Sequence, residues 1–267
     1  MVDLFAPGGR RRLIGVVHLL PLPGAPVPSP GIDAVCARAR QDAQALVAGG
    51  ADGIIVENLG DAPFSAEGGD AITVAAMTRA CLAVREVAPD LGLGVNVLRN
   101  DALAAMSVAA VVGAAFVRVN VHVGAMVTDQ GVVTGRARDT LLLRRRLDAA
   151  QVHVAADVHV KHARPLTDES LEQAALDTWK RGRADALIVS GSGTGQPTSV
   201  EDVRRVRAAA RCALWIGSGV TPERAALLGE HADVAIVGTW LHEDADLGRP
   251  LDPSRVARMH EAWVGHT

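Results

Sequence analysis

Eight short apolar runs recur along the 267-residue chain, and they constrain its fold more than any other sequence feature. Each run is rich in Val and Ile and ends in glycine or polar residues, as buried parallel strands do. The runs are Leu13–Leu19, Gly53–Glu57, Leu93–Leu98, Phe116–Val123, Val152–Val160, Ala186–Ser190, Leu214–Gly217 and Val234–Gly238. Stretches with helical periodicity separate them, for example Asp33–Ala48 and Ile72–Val87. This alternation predicts right-handed βαβ units and a parallel sheet.

The number of units favours a closed sheet. Eight βα units and a chain near the usual length of about 250 residues predict an α/β protein with a single (β/α)8 TIM barrel. Residues 1–267 then form one domain, with residues 1–12 as an N-terminal extension and residues 124–135 as a hairpin insertion. Length alone also permits two smaller domains. An open doubly wound sheet is the main competitor, but Pro21-Leu22-Pro23-Gly24 follows the first run in place of a dinucleotide-binding glycine fingerprint.

Charge and cysteine content exclude several classes of partner. A net charge of −3 with 21% charged residues gives no basic stripe for nucleic acid, so no nucleic-acid partner is expected. The three cysteines lie far apart without CxxC spacing, which favours reduced thiols in a cytoplasmic protein. Pro21 and Pro23 interrupt the first apolar stretch, so no integral membrane segment is expected. Barrels of this class commonly associate, and we expect a homo-oligomer.

Polar side chains follow the strands at the ends where barrel enzymes carry their active sites. Because strands have a period of two, Arg118, Asn120 and His122 should share one face, and Asp157, His159 and Lys161 another. Six inward polar groups are costly to bury unpaired, so they predict a solvated ligand-binding funnel whose reactive end faces the fourth and fifth strands. A satisfied polar network inside a packed barrel is the alternative.

Small residues at the ends of the last three strands indicate a phosphate site. Backbone N–H groups can approach an anion closely there, and this fold frequently binds phosphate after strands seven and eight. The phosphate-binding candidates are Ser190, Gly191, Gly193, Thr194, Gly217, Ser218, Gly219, Gly238 and Thr239. The expected ligand is therefore a phosphorylated small molecule.

Several longer motifs resemble the BtpA family. They are Gly15–Leu19, Asp52–Asn58, Gly94–Asp101, Arg118–Ala125, Ala156–His162, Ala184–Gly191 and Gly217–Thr221. The resemblance implies a barrel of the ribulose-phosphate-binding type. The family takes its name from a photosystem I biogenesis factor, which implies a thylakoid-associated role, and similar proteins outside photosynthetic organisms imply sugar or nucleoside metabolism. No catalytic residue is carried over from the family to this sequence.

Three functions remain open. The first is a lyase, aldolase or isomerase acting on a phosphorylated sugar or nucleoside-derived metabolite. Lys161 would be a Schiff-base nucleophile or an electrophile, and Asp157 would orient Lys161 or act as a base. Histidines would act as general acids or bases. The catalytic candidates are Lys161, Asp157, His159, His122, His18 and Glu57, and the substrate-binding candidates are Asn58, Asn96, Arg99, Arg118 and Asn120.

The second function is a metal-dependent hydrolase. His18, Glu57, Asp157, His159 and His122 would then supply nitrogen and oxygen ligands to a divalent metal, which is the one cofactor the sequence suggests. The third is a non-enzymatic assembly or stability factor, which would dock on a partner through its surface.

Overall fold

The apolar runs pair in parallel and close into a barrel. The computed structural model describes residues 3–160, 162–191 and 197–265. The barrel strands are β1 (Arg12–His18), β2 (Gly53–Glu57), β3 (Gly92–Asn96), β4 (Phe116–Val119), β7 (His153–Val158), β9 (Ala186–Val189), β10 (Ala213–Ile216) and β11 (Val234–Val237). Their order around the barrel is β1-β11-β10-β9-β7-β4-β3-β2, which confirms the (β/α)8 prediction.

Helices follow the strands and cover the outside of the barrel. They are α1 (Ile32–Ala48), α2 (Ala71–Val87), α3 (Ala102–Val112), α4 (Ala137–Arg146), α5 (Leu171–Leu176), α6 (Val200–Ala209), α7 (Pro222–Gly229) and α8 (Pro253–Val264). A π-helical segment, Asp177–Arg181, continues α5, and short 3₁₀ turns span Leu59–Asp61, Thr239–Leu241 and Glu243–Ala245. Side-chain caps begin several helices: Asp70 accepts from the N–H of Thr73, and Ser199 from that of Asp202. Within the described residues, no helix is long and apolar enough to span a membrane.

Aromatic rings fill the lower half of the barrel interior. Phe116 and Trp215 are fully buried and meet edge to face, with ring centroids 5.2 Å apart. Leu4 and Phe5, from the N-terminal extension, close the bottom, and the Phe5 ring lies 5.0 Å from that of Trp215. Gly94 makes room for Phe116, since a Cβ there would lie 2.3 Å from the Phe116 ring. The lower barrel is therefore a packed core, and any ligand must bind above it.

A small antiparallel sheet lies at the C-terminal end of the barrel. Residues 124–135, where a hairpin is predicted, form β5 (Ala125–Thr128) and β6 (Gly131–Thr134). A third strand that the sequence pattern did not reveal, β8 (Ala163–Pro165), pairs with β5. One face of this sheet packs Met126 and Val133 against Val121 and Val160, which fixes the sheet over the ends of β4 and β7.

Most barrel strands end earlier than their apolar runs predict, and the early ends of β4 and β7 matter most for the site. β4 stops at Val119 and β7 at Val158, whereas the sequence runs continue to Val123 and Val160. His159 has a φ of 53°, which turns the chain out of the strand direction. The period-two prediction therefore does not place His122 and His159, whereas Asn120 still donates to Asp157 beside Arg118.

Candidate active site

A polar layer lies directly above the aromatic core. In the parallel register His18 pairs with Glu57, and Glu57 pairs with Asn96, so the three side chains point to the same side of the sheet. His18, Glu57 and Arg118 line a cavity of about 180 Å³ that also reaches the loops after β10 and β11. The C-terminal ends of β1, β2, β4, β10 and β11 therefore meet in one cavity.

Asp157 is the centre of a buried network at the β4–β7 side of this layer. Arg118 donates from Nε to Oδ2 at 3.0 Å and from Nη2 to Oδ1 at 2.9 Å. Asn120 Nδ2 donates to Oδ2 at 3.0 Å, and Ser190 Oγ donates to Oδ1 at 2.9 Å. Burial works against the charge of Arg118, but the adjacent Asp157 carboxylate overrides it and raises the pKa of the guanidinium. Asp157, which is predicted to orient Lys161 or to act as a base, thus accepts four hydrogen bonds from its neighbours.

Glu57 occupies the opposite side of the layer, next to the cavity. Asn96 Nδ2 donates to Glu57 Oε2 at 2.5 Å, and His18 Nε2 lies 3.9 Å from Glu57 Oε1. The amide nitrogens of Asn96 and Asn120 each donate a hydrogen bond to a carboxylate, which fixes the orientation of both amide groups. The Oδ1 atom of each amide remains as a hydrogen-bond acceptor. Both amide oxygens are buried and have no protein partner in the described structure. Such atoms are costly to leave unsatisfied, so a hydrogen-bond donor beside either oxygen would be favourable.

Four of the predicted phosphate-binding residues retain N–H groups that could meet an anion. Ser218, Gly219 and Gly238 line the cavity, and their N–H groups bind no protein acceptor among the described residues. Thr239 also lines it and begins a 3₁₀ turn, where an N–H group has no intrahelical acceptor. All four residues follow the ends of β10 and β11.

Other phosphate candidates use their groups inside the protein. Gly191 N–H donates to Ser218 Oγ at 2.8 Å, and Gly217 N–H donates to the Val189 carbonyl at 2.8 Å. Ser190 Oγ donates to Asp157. We therefore assign these three residues to the framework of the site, in place of their predicted phosphate contact. Gly193, Thr194 and Lys161, also predicted, lie outside the described residues.

A second cavity, of about 540 Å³, lies above the polar layer and shares Glu57 with the first. Arg99 and Asn120 line it, together with Asp129 and Gln130 from the β5–β6 turn. The hairpin therefore reaches over the barrel mouth, and Arg99, predicted to bind substrate, lies beside the polar layer.

Three predicted site residues lie elsewhere. His122 follows the end of β4 and donates from Nε2 to the Gly182 carbonyl at 2.9 Å, and burial lowers its pKa. The amide of Asn58 donates to Asp61 and accepts from Leu98 N–H, so both of its polar atoms are used within the loop. His159 leaves the Asp157 face because β7 ends at Val158, and burial lowers its pKa as well.

This placement separates the five residues considered as metal ligands. His18 and Glu57 adjoin one another, whereas Asp157 is saturated by donors and His122 bonds the Gly182 carbonyl. Among the described residues, no group of three or more His, Cys, Asp or Glu side chains could hold a metal ion. The geometry therefore gives no support to the hydrolase alternative.

His242, which sequence reasoning missed, completes the site next to His18. Its ring stacks on that of His18, with centroids 5.6 Å apart, and His242 Nε2 lies 3.3 Å from His18 Nδ1. His242 follows β11 by five residues, just beyond the Gly238-Thr239 pair at which the sequence search stopped. A histidine in the turn after a barrel strand was the available signal.

Together the fold and the polar layer define a (β/α)8 barrel with a polar cavity at its C-terminal face. The chain belongs to the BtpA family, whose sequence profile matches residues 9–264. It is 45% identical to the photosystem I biogenesis protein BtpA of Synechocystis sp., over 94% of this chain and 88% of that protein. It is 42% identical to an uncharacterized protein of Thermococcus kodakarensis, over 94% of this chain and 95% of the relative.

Solved structures share the barrel at low sequence identity. 3-Hexulose-6-phosphate synthase superimposes with a TM-score of 0.59 at 14% identity, covering 94% of this chain and 99% of that one. Phosphoribosyl anthranilate isomerase from Thermus thermophilus gives a TM-score of 0.59 at 12% identity, covering 96% and 100%. These similarities establish the fold.

Proposed function

We propose that this protein is an enzyme that binds a phosphorylated small molecule, a sugar or nucleoside-derived metabolite, at the C-terminal face of its barrel. One observation carries the proposal: a single cavity joins unpaired backbone N–H groups at Ser218, Gly219 and Gly238 to the ionisable pair His18 and Glu57. The N–H groups suit a phosphate, and the pair suits proton transfer.

The amide oxygens of Asn96 and Asn120 support a hydroxylated substrate. A phosphate ester bound to the β10 and β11 loops would extend its remaining atoms toward β3 and β4, whose ends carry these asparagines. Both oxygens are oriented to accept, so they select groups that donate, such as sugar hydroxyls. An apolar substrate would leave them unsatisfied in a buried position, at a cost of about 1–3 kcal/mol each.

Proton transfer by His18 and Glu57 fits lyase, aldolase or isomerase chemistry. A histidine can accept and return a proton near neutral pH, and Glu57 Oε1 lies 3.9 Å from its Nε2. The saturated Arg118–Asp157 pair holds the floor of the cavity and takes no proton in this scheme. The similar solved structures include 3-hexulose-6-phosphate synthase and phosphoribosyl anthranilate isomerase, whose names denote phosphorylated or phosphoribosyl compounds, which agrees with the proposed substrate class.

A charge placed at Thr239 tests the phosphate site. Thr239→Asp adds a carboxylate at the start of a 3₁₀ turn, where an acidic residue is tolerated, and Thr239→Asn is its uncharged match. Two unit charges about 4 Å apart repel by about 4 kcal/mol at an effective dielectric constant of about 20, before screening by salt. Phosphorylated sugars that raise the melting temperature of the wild type should bind Thr239→Asp at least about tenfold more weakly in calorimetry.

The matched control separates charge from shape. Thr239→Asn should keep most of the affinity, and dephosphorylated forms of the same compounds should not discriminate between the two variants. Equal affinity of a phosphorylated ligand for Thr239→Asp and Thr239→Asn would refute the phosphate assignment.

A second candidate function is assembly or stability support of a protein complex. The observation that favours it is the 45% identity to a photosystem I biogenesis protein. An exposed apolar face on the small sheet, formed by Val127, Val132 and Leu166, gives such a role a surface. Replacing Val127 and Val132 by threonine should abolish an assembly function and leave metabolite binding intact, whereas Thr239→Asp should do the reverse.

A further inference from the structure

His242 is buried beside the cavity and makes two directed ring contacts. It is 0% exposed. Its Nδ1 lies 2.7 Å from the carbonyl oxygen of Arg249, and its Nε2 lies 3.3 Å from Nδ1 of His18. A chain of hydrogen bonds therefore leads from the Arg249 carbonyl through the His242 ring to the His18 ring. The position of the proton on each ring nitrogen in this chain can be assigned.

The Arg249 carbonyl determines where the proton of His242 lies. A carbonyl oxygen can only accept, so His242 Nδ1 must carry hydrogen. Burial lowers the pKa of His242, which favours the neutral ring, and Nε2 of a neutral Nδ1–H ring is an acceptor. The atom that faces it, Nδ1 of His18, must then be the donor.

We propose that His242 is a positioning residue that holds neutral His18 in its Nδ1–H tautomer, so that Nε2 is the ring atom that gains and loses a proton in the cavity. The use of that proton in a reaction rests on the proposed function. Nε2 of His18 lies 3.9 Å from Oε1 of Glu57 and lines the phosphate-binding cavity, whereas Nδ1 faces the interior.

Residues of α1 fix the position of the Arg249 carbonyl, from which this chain of hydrogen bonds begins. Asp42 is 0% exposed; it accepts the N–H of Leu251 at 2.9 Å and the Nε of Arg38 at 3.0 Å. Arg38 donates in turn to the carbonyls of Gly248 and Arg249. The 248–251 segment is thus tied to α1 at both of its ends, which keeps the Arg249 carbonyl directed at His242.

Gly238 shows that the position of His18 is selected by packing as well. A Cβ at residue 238 would lie 2.5 Å from Cε1 of His18 and 3.0 Å from its Nε2. Such contacts are too close, so glycine at the end of β11 lets the ring lie flat against the phosphate loop. The ring is therefore confined by His242 on one edge and by the Gly238 backbone on another.

The tautomer can be measured without any substrate. Long-range ¹H–¹⁵N correlation spectra of histidine-labelled protein at a pH where His18 is neutral distinguish Nδ1–H from Nε2–H rings, and His18→Gln identifies the signal. The wild type should show Nδ1–H at His18. His242→Phe removes the acceptor and should shift His18 toward the Nε2–H form that free imidazole side chains prefer. His242→Gln places a polar atom near the Nε2 position and should retain Nδ1–H.

An Nε2–H tautomer at His18 in the wild type would overturn the proposal, and so would an unchanged tautomer in a folded His242→Phe protein. The wild-type measurement stands even where His242→Phe fails to fold. Failure of the Thr239 ligand test would refute the phosphate site but leave the tautomer result, so the two outcomes are distinguishable.

Discussion

Replacing Asp157 by Asn tests whether the carboxylate holds the polar layer together. The side chains of Arg118 and Asp157 are 2% and 0% exposed, and four hydrogen bonds converge on the two carboxylate oxygens. An amide keeps the shape but has one oxygen, and its NH₂ group faces donors in place of an acceptor. Arg118 also keeps its charge in a buried position without its directly bonded counter-ion.

The magnitude follows from the cost of an uncompensated buried charge. Breaking a buried ion pair by removing one partner costs about 3–5 kcal/mol. An unfolding entropy of about 2.1 cal/mol/K per residue gives a shift of about 2 °C per kcal/mol for a chain of this length. We therefore expect the melting temperature of Asp157→Asn to fall by about 6–10 °C.

Urea unfolding at pH 7, followed by the fluorescence of buried Trp215, measures this loss. Ser190→Ala is the matched control, since it removes one neutral donor and should cost only about 1 kcal/mol. In an Arg118→Met background, Asp157→Asn should cost much less than alone, because the stranded charge is gone. A loss below about 1 kcal/mol in the single variant, or full additivity in the double variant, would refute the reasoning.

Two further predictions concern packing and pH. Gly94→Ala should destabilise the protein by about 1–3 kcal/mol in urea unfolding, because its Cβ would lie 2.3 Å from the Phe116 ring. Adding Phe116→Leu should restore part of this loss. An undiminished stability of Gly94→Ala would contradict the packing argument. Burial lowers the folded-state pKa of His122, His159 and His242. Below the ordinary histidine pKa of about 6.5, these residues therefore bind more protons in the unfolded chain than in the folded protein. The free energy of unfolding should thus fall as the pH drops from 7 to 5.5, by up to about 1.4 kcal/mol per pH unit for each histidine, and His242→Gln should reduce that slope; an unchanged slope would exclude His242 as a contributor.

Strand periodicity predicts the members of the polar layer within the strands and Asn120, which lies one residue beyond β4. His18, Glu57 and Asn96 adjoin in register at the ends of β1, β2 and β3, so their common direction could be inferred from the sequence. His122 and His159 could not be placed in this way, because β4 and β7 end three residues and one residue before them. The direction of the chain beyond a strand depends on loop packing, which the apolar pattern does not encode.

Long-range contacts explain the other differences. His242 meets His18 across 224 residues of sequence, through a turn whose shape depends on Asp42 and Arg38 of α1. Strand β8 has three residues and includes Pro165, so it lacks the alternation that identifies a strand. Such features arise from tertiary pairing, and a single sequence gives no local signal for them.

The two inward carboxylates of the polar layer have different surroundings, and this difference bears on where the reactive end of the proposed site lies. Asp157 accepts four hydrogen bonds and has no exposed side-chain surface, so both of its oxygens are occupied within the β4–β7 framework. Glu57 lines both cavities beside His18, and His18 lines the same cavity as the unpaired N–H groups of the β10 and β11 loops. Under the proposed function, a phosphorylated ligand held by those loops would meet its proton donor or acceptor at the ends of β1 and β2, whereas the sequence predicts the reactive end at the fourth and fifth strands. The fourth and fifth strands instead supply rigidity: a fixed Arg118–Asp157 floor keeps Asn120 oriented with its oxygen toward the ligand.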